Sequence, residues 1–380
     1  MGVEYNKRAI AYMSEISKVI GLMSGTSLDG VDAALIETDG EDVVRPLAGL
    51  TTPYAGETRA LLRAALQEAR NVAEGAPVPY SIRDAERLLT EAHAEAVKAL
   101  LKKTGLTADQ VSLLGFHGQT ILHRPAQHWT WQIGDGALLA RLTGIDVVND
   151  FRSADVKAGG QGAPLMPLYH AAMARKLGLA LPVVIVNIGG VSNVTYISND
   201  TILAFDTGPG NAPIDDWMLK HHGKHLDEDG AFARTGKIDN TALDKMLAHP
   251  FFARVPPKSL DRLDFGMEAV ANLSPEDGAA TLTAFTAAAL ARAREYFPEP
   301  ASLWAVSGGG RHNIFLMDQL RVRVNAPVIS AEKAGWDGDS MEAEGFAYLA
   351  MRSKKGLPLS LPTTTGVKEP TTGGKFHRKS

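Results

Sequence analysis

Ser24-Gly25-Thr26-Ser27-Leu28-Asp29-Gly30 stands between two apolar runs, Val19 to Met23 and Val31 to Ile36. A strand that turns through glycine and hydroxyl residues suits a polyphosphate. Neutral hydroxyls and backbone N–H groups approach phosphate oxygens closely, and glycine removes the Cβ obstacle. Asp29 or Asp32 could hold a Mg2+-bound water beside it. An ordinary polar turn has the same composition, so a second copy is what favours the phosphate reading. Pro182 to Ile197 again runs apolar strand, polar turn and alternating strand, with Gly189, Gly190, Ser192 and Asn193 in and after the turn.

Asp206-Thr207-Gly208-Pro209-Gly210-Asn211 ends another apolar run. A carboxylate there, followed by a tight Gly/Pro turn, sits at a cleft edge where it can act as a general base; stabilising a helix N-terminus is the competing role. Gly308, Gly309 and Gly310, followed by Arg311, His312 and Asn313, can leave bare backbone against which a base or ribose lies, or simply make a strand–helix turn. Asp150-Phe151-Arg152-Ser153-Ala154-Asp155 precedes a glycine loop, Ala158 to Pro164. Arg152 there can bind sugar hydroxyls or a carboxylate, or pair with Asp150 or Asp155. His117, just past a strand, is a candidate cleft residue.

Other chemistries fail on spacing. Gly230 to Lys237 has one residue too many for a P-loop and Ile238 where Ser or Thr is needed. The Gly308 run lacks the third glycine of a dinucleotide fingerprint. His221 and His225 are one helical turn apart, but no Glu completes a zinc motif, so surface histidines are expected and no protein-held metal site is.

The elements that must position these residues follow from periodicity. Helical spacing marks about 56–71 and 81–103, Val111 to Gly115 reads as a strand, and Ser274-Pro275-Glu276-Asp277 is a helix start. Leu303 to Val306 is a strand and Ser340 to Arg352 a last helix. From Leu357 the chain reads as a solvated, loop-like extension with a basic end. The repeated hairpin predicts a duplicated α/β architecture around a shared cleft.

The 380 residues are 45% hydrophobic and 22% charged, an ordinary globular composition that fits two domains or three. With 39 Lys and Arg against 43 Asp and Glu, the net charge of −4 offers no cationic field to nucleic acid or an anionic membrane. The absence of cysteine excludes disulfides, thiolate nucleophiles and Fe–S clusters. The longest apolar run, Leu177 to Val186, is about half the ~20 residues of a bilayer span. A cytoplasmic protein is expected.

Taken together, GLMSGTSLDGVD, GFHGQT, QIGD, DFRSAD, AGGQGAPL, NIGGVSN, FDTGPGN and SGGGRHN resemble, in order and spacing, the anhydro-N-acetylmuramic acid kinase family of the actin/hexokinase-like ATPase superfold. The resemblance spans about Gly21 to Gly374. It implies two similar ribonuclease H-like α/β domains, 18–178 and 181–340, with 341–380 returning to the first. It implies ATP and Mg2+ held by both hairpin turns, through Ser24, Gly25, Thr26, Ser27, Asp29, Gly30, Gly189, Gly190, Ser192 and Asn193. Adenosine would lie near Gly308, Gly309, Gly310 and Asn313.

Carried over by motif position, Asp206 is the general base, and Thr120, Asp150, Arg152 and Glu342 contact the sugar. The implied reaction opens 1,6-anhydro-N-acetylmuramic acid with water and phosphorylates O6, as part of cell-wall recycling; a homodimer is implied too. Ser153 and Ala154 stand where family members often carry basic residues, which leaves Lys157 to meet the lactyl carboxylate. That departure keeps open a kinase for a simpler anhydro sugar such as levoglucosan. An actin- or heat-shock-like ATP switch is the alternative from another class.

Overall fold

The computed structural model describes residues 15–25, 28–260 and 264–379. Thr26 and Ser27 of the first turn lie outside the described residues. The first half contains β1 (Ser17–Met23), β2 (Gly30–Thr38), β3 (Val44–Pro53), α1 (Gly56–Ala69), α2 (Tyr80–Thr104), β4 (Leu113–Phe116), β5 (Gln119–Arg124), β6 (Trp129–Ile133), α3 (Gly136–Thr143) and β7 (Val147–Asn149). After it come α4 (Ser153–Lys157) and α5 (Pro167–Lys176), then β8 (Val183–Ile188), β9 (Val191–Ile197), β10 (Ile202–Pro209), α6 (Ala212–His222), α7 (Asn240–Leu247), α8 (Pro275–Arg292), β11 (Leu303–Ser307), α9 (Ile314–Arg323) and β12 (Val328–Ser330). The chain closes with α10 (Met341–Lys354), α11 (Pro362–Thr365) and β13 (Lys375–His377).

Local signals set several boundaries. Ser274 caps α8 by accepting from the Asp277 N–H at 3.1 Å, with Pro275 at the first helical position. Asp135 caps α3 through the Leu138 N–H at 2.9 Å.

Two sheets share one plan. The first runs β13-β7-β4-β1-β2-β3 and the second β10-β9-β8-β11-β12. In each, three successive strands form an antiparallel meander, and two later strands add in parallel beside the first of the three. This repeated order is the actin/hexokinase-like fold, and it exposes the duplication more clearly than the sequence does. β5 and β6 form a separate hairpin.

The layers follow from strand alternation. Ile20 and Leu22 of β1 face the core under α1, α2 and α3, while Val19 faces a second core. That second core is shared. It takes Val19, Leu113 and Val148 from the first sheet, Val183, Ile185 and Ala305 from the second, and the residues of α5 and α10 between them. Val184, Val186 and Ile188 face a third core against α8 and α9. Buried on nearly all sides, α10 needs close strand contact: a Cβ on Gly21 would lie 1.8 Å from the Ala343 carbonyl oxygen. Any larger residue there would displace the helix that carries Glu342.

The tail corrects the sequence expectation in part. Its first stretch is packed: Leu359, Thr365 and Val367 are buried, Ser360 bridges Thr371, and β13 pairs antiparallel with β7, while its basic residues Lys375, Arg378 and Lys379 are exposed as expected. Its Thr-rich composition does not keep it in water, because its hydroxyls find internal acceptors. Thr365 Oγ1 donates to Asp155 Oδ2 at 2.5 Å. Among the described residues no helix is long and apolar enough to cross a membrane.

Candidate active site

The second sheet presents one polar row. Ser307 of β11 is level with Asn187 of β8, Asn187 with Asn193 of β9, and Asn193 with Asp206 of β10. Paired residues on adjacent strands point to one face. Val183 and Ile185, earlier on β8, place that face toward the shared core. The row therefore lies where the apolar layer between the sheets gives way to polar side chains, with Asn187, Asn193 and Asp206 half-buried and Ser307 buried.

Asp206 sits inside β10, not at its end, and the register of β10 against β9 breaks between Asp206 and Gly208. A bulge of this kind re-aims a side chain. The Asp206 N–H donates to the Lys258 carbonyl at 3.0 Å, and the Leu260 N–H donates to Asp206 Oδ2 at 2.9 Å. Burial pushes this carboxyl up to about 7, against the lowering effect of the Leu260 N–H. Lys258 anchors the segment. Its buried ammonium lies 4.7 Å from the Phe251 ring centroid and 5.1 Å from that of Tyr296, and burial lowers it to about 8.

Around the second turn the predicted glycines come together. The Asn211 N–H donates to the Gly189 carbonyl at 2.7 Å and the Gly210 N–H to the Gly190 carbonyl at 2.9 Å. Gly308, with φ of +73°, faces the same place: a Cβ on it would lie 2.3 Å from Asn187 Oδ1. Gly309 and Gly310 begin a 3-10 turn, Gly309–His312, beside the Asn211 amide. Arg311 is buried and donates to Glu332 (2.8 Å), to Asp339 (2.7 Å) and to the Gly308 carbonyl (3.0 Å). Two predicted side chains serve the scaffold. Ser192 is buried and donates to the Pro209 carbonyl at 3.3 Å, and Asn313 caps α9 through the Leu316 N–H at 2.9 Å.

The first turn also departs from expectation. The Ser24 hydroxyl is buried, donates to Gln119 Oε1 at 2.7 Å and accepts from the Tyr54 hydroxyl at 2.8 Å. It points inward to protein partners, and the Gly25 carbonyl accepts the Leu28 N–H at 3.1 Å. Asp29 is exposed and pairs with Arg59 at 2.8 Å. Asp32, level with Met23 and Thr51, accepts from Thr51 at 2.6 Å. Burial raises its carboxyl, the Thr51 bond opposes this, and the charges of Asp339, Asp29 and Asp337 raise it further. Glu342 is likewise raised, by burial first, with Arg152 lowering and Asp32 raising it. Asn187 Nδ2 donates to Glu342 Oε1 at 3.3 Å. Glu342 thus links the polar row of the second sheet to Asp32 of the first.

Among the described residues no group of three or more acids or histidines is arranged to hold a metal alone. Mg2+ travelling with a nucleotide needs only one or two carboxylates besides the phosphates. Asp32, surrounded by further carboxylates, fits that demand better than the ion-paired Asp29.

The glycine loop carries the remaining predictions. Arg152 pairs with neither Asp150 nor Asp155. Its Nε donates to His117 Nε2 at 3.0 Å and its Nη1 to the Gly162 carbonyl at 2.6 Å. His117 is held neutral by burial and by the Arg152 charge, and its Nδ1 donates to the Gly118 carbonyl. Asp155 accepts the Gly162 N–H at 2.6 Å. Asp150 has φ of +55°, a left-handed conformation that turns the chain between β7 and α4. Thr120 accepts from Gln132 Nε2 at 3.1 Å, while Gln132 Oε1 is buried without a partner. Lys157 is exposed at the end of α4. His221 stacks on Trp217 with centroids 3.9 Å apart, and His222 on Phe232.

Sequence reading missed Asn187, Asp339 and the segment from Lys258 to Leu260, and gave no separate part to Asn211 and Arg311 within their motifs. Asn187 had a signal: it is polar, ends an apolar strand and precedes the glycine pair. The segment 258–260 had none, since its contact with Asp206 is made only by folding.

A sequence model of the anhydro-N-acetylmuramic acid kinase family matches residues 17–379. A curated protein of Rhizorhabdus wittichii named anhydro-N-acetylmuramic acid kinase is 52% identical, covering 94% of this chain and 98% of its own. One of the same name from Paramagnetospirillum magneticum is 53% identical, covering 94% and 99%. Among solved structures, the activator of the 2-hydroxyisocaproyl-CoA dehydratase from Clostridium difficile covers 89% of this chain and 96% of its own, at 13% identity and a TM-score of 0.45.

Proposed function

The chain belongs to the anhydro-N-acetylmuramic acid kinase family, and on that premise we propose how its cleft performs the reaction. The enzyme converts 1,6-anhydro-N-acetylmuramic acid, ATP and water to N-acetylmuramic acid 6-phosphate and ADP. In the anhydro sugar O6 is bonded to C1 and carries no hydrogen, so it is a poor phosphoryl acceptor. Asp206 takes a proton from a water as that water's oxygen bonds to C1. The C1–O6 bond breaks, its electron pair stays on O6, and O6 attacks the γ-phosphorus as ADP leaves.

The observation that carries the base assignment is the half-buried Asp206 carboxyl, placed at a strand bulge in the polar row and aimed by the Leu260 N–H, with desolvation raising it to about 7. A base poised near neutrality holds little charge in reserve yet accepts a proton readily. Gly25 and Gly30 in one turn, and Gly189 and Gly190 in the other, offer backbone to the phosphates, and Gly308, Gly309 and Gly310 to the adenosine. Asp32 would hold Mg2+, which neutralises phosphate charge when bound. Arg152, Glu342, Asp150 and Thr120 orient the sugar, with the unpartnered Gln132 Oε1 as a further acceptor for a sugar hydroxyl or amide N–H. We take 18–178 and 181–340 as the domains that close on both substrates and exclude bulk water. A cytoplasmic homodimer completes the reading; light scattering tests the dimer.

The experiment is a product mass. The protein is incubated with ATP, Mg2+ and 1,6-anhydro-N-acetylmuramic acid, with levoglucosan in a parallel tube. Gain of a phosphoryl group and a water by the muramic sugar is expected. Preference for levoglucosan would reassign the substrate, and ATP turnover without any sugar product would favour a nucleotide switch.

A further inference from the structure

Gln161 of the glycine loop is fixed at its backbone. Its N–H donates to the Thr365 carbonyl at 2.7 Å, and its carbonyl accepts from His123 Nε2 at 2.9 Å. The loop is tied again next door, where Asp155 holds both the Gly162 N–H and the Thr365 hydroxyl. These ties come from the β5–β6 hairpin, α4 and the tail. The Gln161 side chain reaches the other way: its Oε1 accepts from Ser259 Oγ at 2.7 Å. Ser259 stands between the two residues that hold Asp206, Lys258 by its carbonyl and Leu260 by its N–H.

We infer that the Gln161–Ser259 hydrogen bond is a latch that aims the base: it seats segment 258–260, and so the Asp206 carboxylate, only when the sugar-side loop is in place. Gln161 and Ser259 are then positioning residues that act through Leu260. The same loop presents the Gly162 carbonyl to Arg152, so one short stretch is tied both to a proposed sugar-binding residue and to the base. Lys258, fixed among its aromatic rings, gives the segment a pivot, and the Ser259 side selects its orientation. The benefit is that water is activated with the sugar bound, not in the open cleft.

This inference rests on Asp206 being the base, and the test separates the two. Ser259→Ala, Gln161→Leu and the double variant are assayed beside Asp206→Asn, with ATP and 1,6-anhydro-N-acetylmuramic acid. Each single variant is expected to lose roughly 10- to 100-fold in kcat, the scale set by misplacing a catalytic group by about an ångström. The KM values for sugar and ATP should stay within about twofold, because neither side chain is assigned to a substrate. The double variant should be no slower than the singles, and Ser259→Thr, which keeps the hydroxyl, should restore most of the rate. A merely structural role would not give that KM-against-kcat split or that rescue. Wild-type kcat in either single variant, or fully multiplicative losses in the double, would overturn the latch. An Asp206→Asn enzyme with near-normal turnover would instead remove the base reading beneath it.

Discussion

The two hairpins are built on one frame and do different electrostatic work. In the first sheet the row near the turn is Met23, Asp32 and Thr51; in the second it is Asn187, Asn193 and Asp206. Each row carries one carboxylate, on the middle strand in the first and on the outer strand in the second. Asp32 has acidic company, with Asp339, Asp29 and Asp337 all raising its carboxyl. Two of these are themselves paired, Asp29 with Arg59 and Asp339 with Arg311, so the proposed cation would answer chiefly the charge of Asp32 and Asp337. Asp206 has burial and one N–H bond and no charged neighbour among the influences on it. Such a carboxyl exchanges a single proton near neutrality. On the proposed reading, duplication supplied the scaffold twice, and the neighbours of each carboxylate divide the labour between phosphate charge and proton transfer.

The comparison breaks most sharply at Asp206. Asp206→Asn should lower kcat by about 10²- to 10⁴-fold, the usual worth of a general base. Binding of a non-hydrolysable ATP analogue, followed by calorimetry, should persist. Full activity would mean that the second row is not the chemical one. The pH profile gives the next largest effect. A base must be unprotonated, so kcat should rise with pH and level off above about 7, the value for Asp206. Below it the rate should fall by about tenfold per pH unit. An acid limb near an ordinary carboxylate value would deny Asp206 the burial on which its role rests. Asp32→Asn sharpens the other side. It should raise the Mg2+ concentration needed for half-maximal rate by roughly tenfold, about 1.4 kcal/mol, and leave the acid limb in place. A shift of that limb instead would show that the two rows share one function.

How much of this was legible in the chain follows from which contacts are local. The strands of both hairpins, the Ser274 cap and the glycine turns were readable, because periodicity and turn chemistry act over a few residues. Family motifs marked Asp206 and the Gly308 run. Side-chain direction was not readable: Ser24, in the first turn, and Ser192, in β9 just after the second, spend their hydroxyls on Gln119 and Pro209. The tail misled because threonine and glycine composition signals solvent unless a partner such as Asp155 is already known. The partners of Arg152 were not readable either, since His117 and Gly162 reach it only through the fold. The support of Asp206 by Leu260 spans 54 residues and follows no pattern that a sequence carries.

The smallest expected effect is on stability, and it has the opposite sign to the loss of activity. Asp206 is raised from its ordinary 3.8 to about 7 in the folded protein. Between those values the folded state binds a proton that the unfolded chain does not, so folding favours the protonated form there. As pH climbs through that window the preference fades, and above about 7 the folded protein must carry a buried charge. The penalty is therefore largest in the range where the base is active. Asparagine keeps the shape without the charge. Asp206→Asn should raise Tm at pH 8 by about 1–3 °C, given the shallow dependence of Tm on free energy in larger chains, and change it much less at pH 4, below most of the window. Scanning calorimetry at both pH values measures it. An equal Tm change at the two pH values would mean that no buried charge is being relieved. A pH-dependent gain would identify Asp206 as a site where stability is given up for function, whereas Asp32, with a cation to balance it, should show that gain only when Mg2+ is withheld.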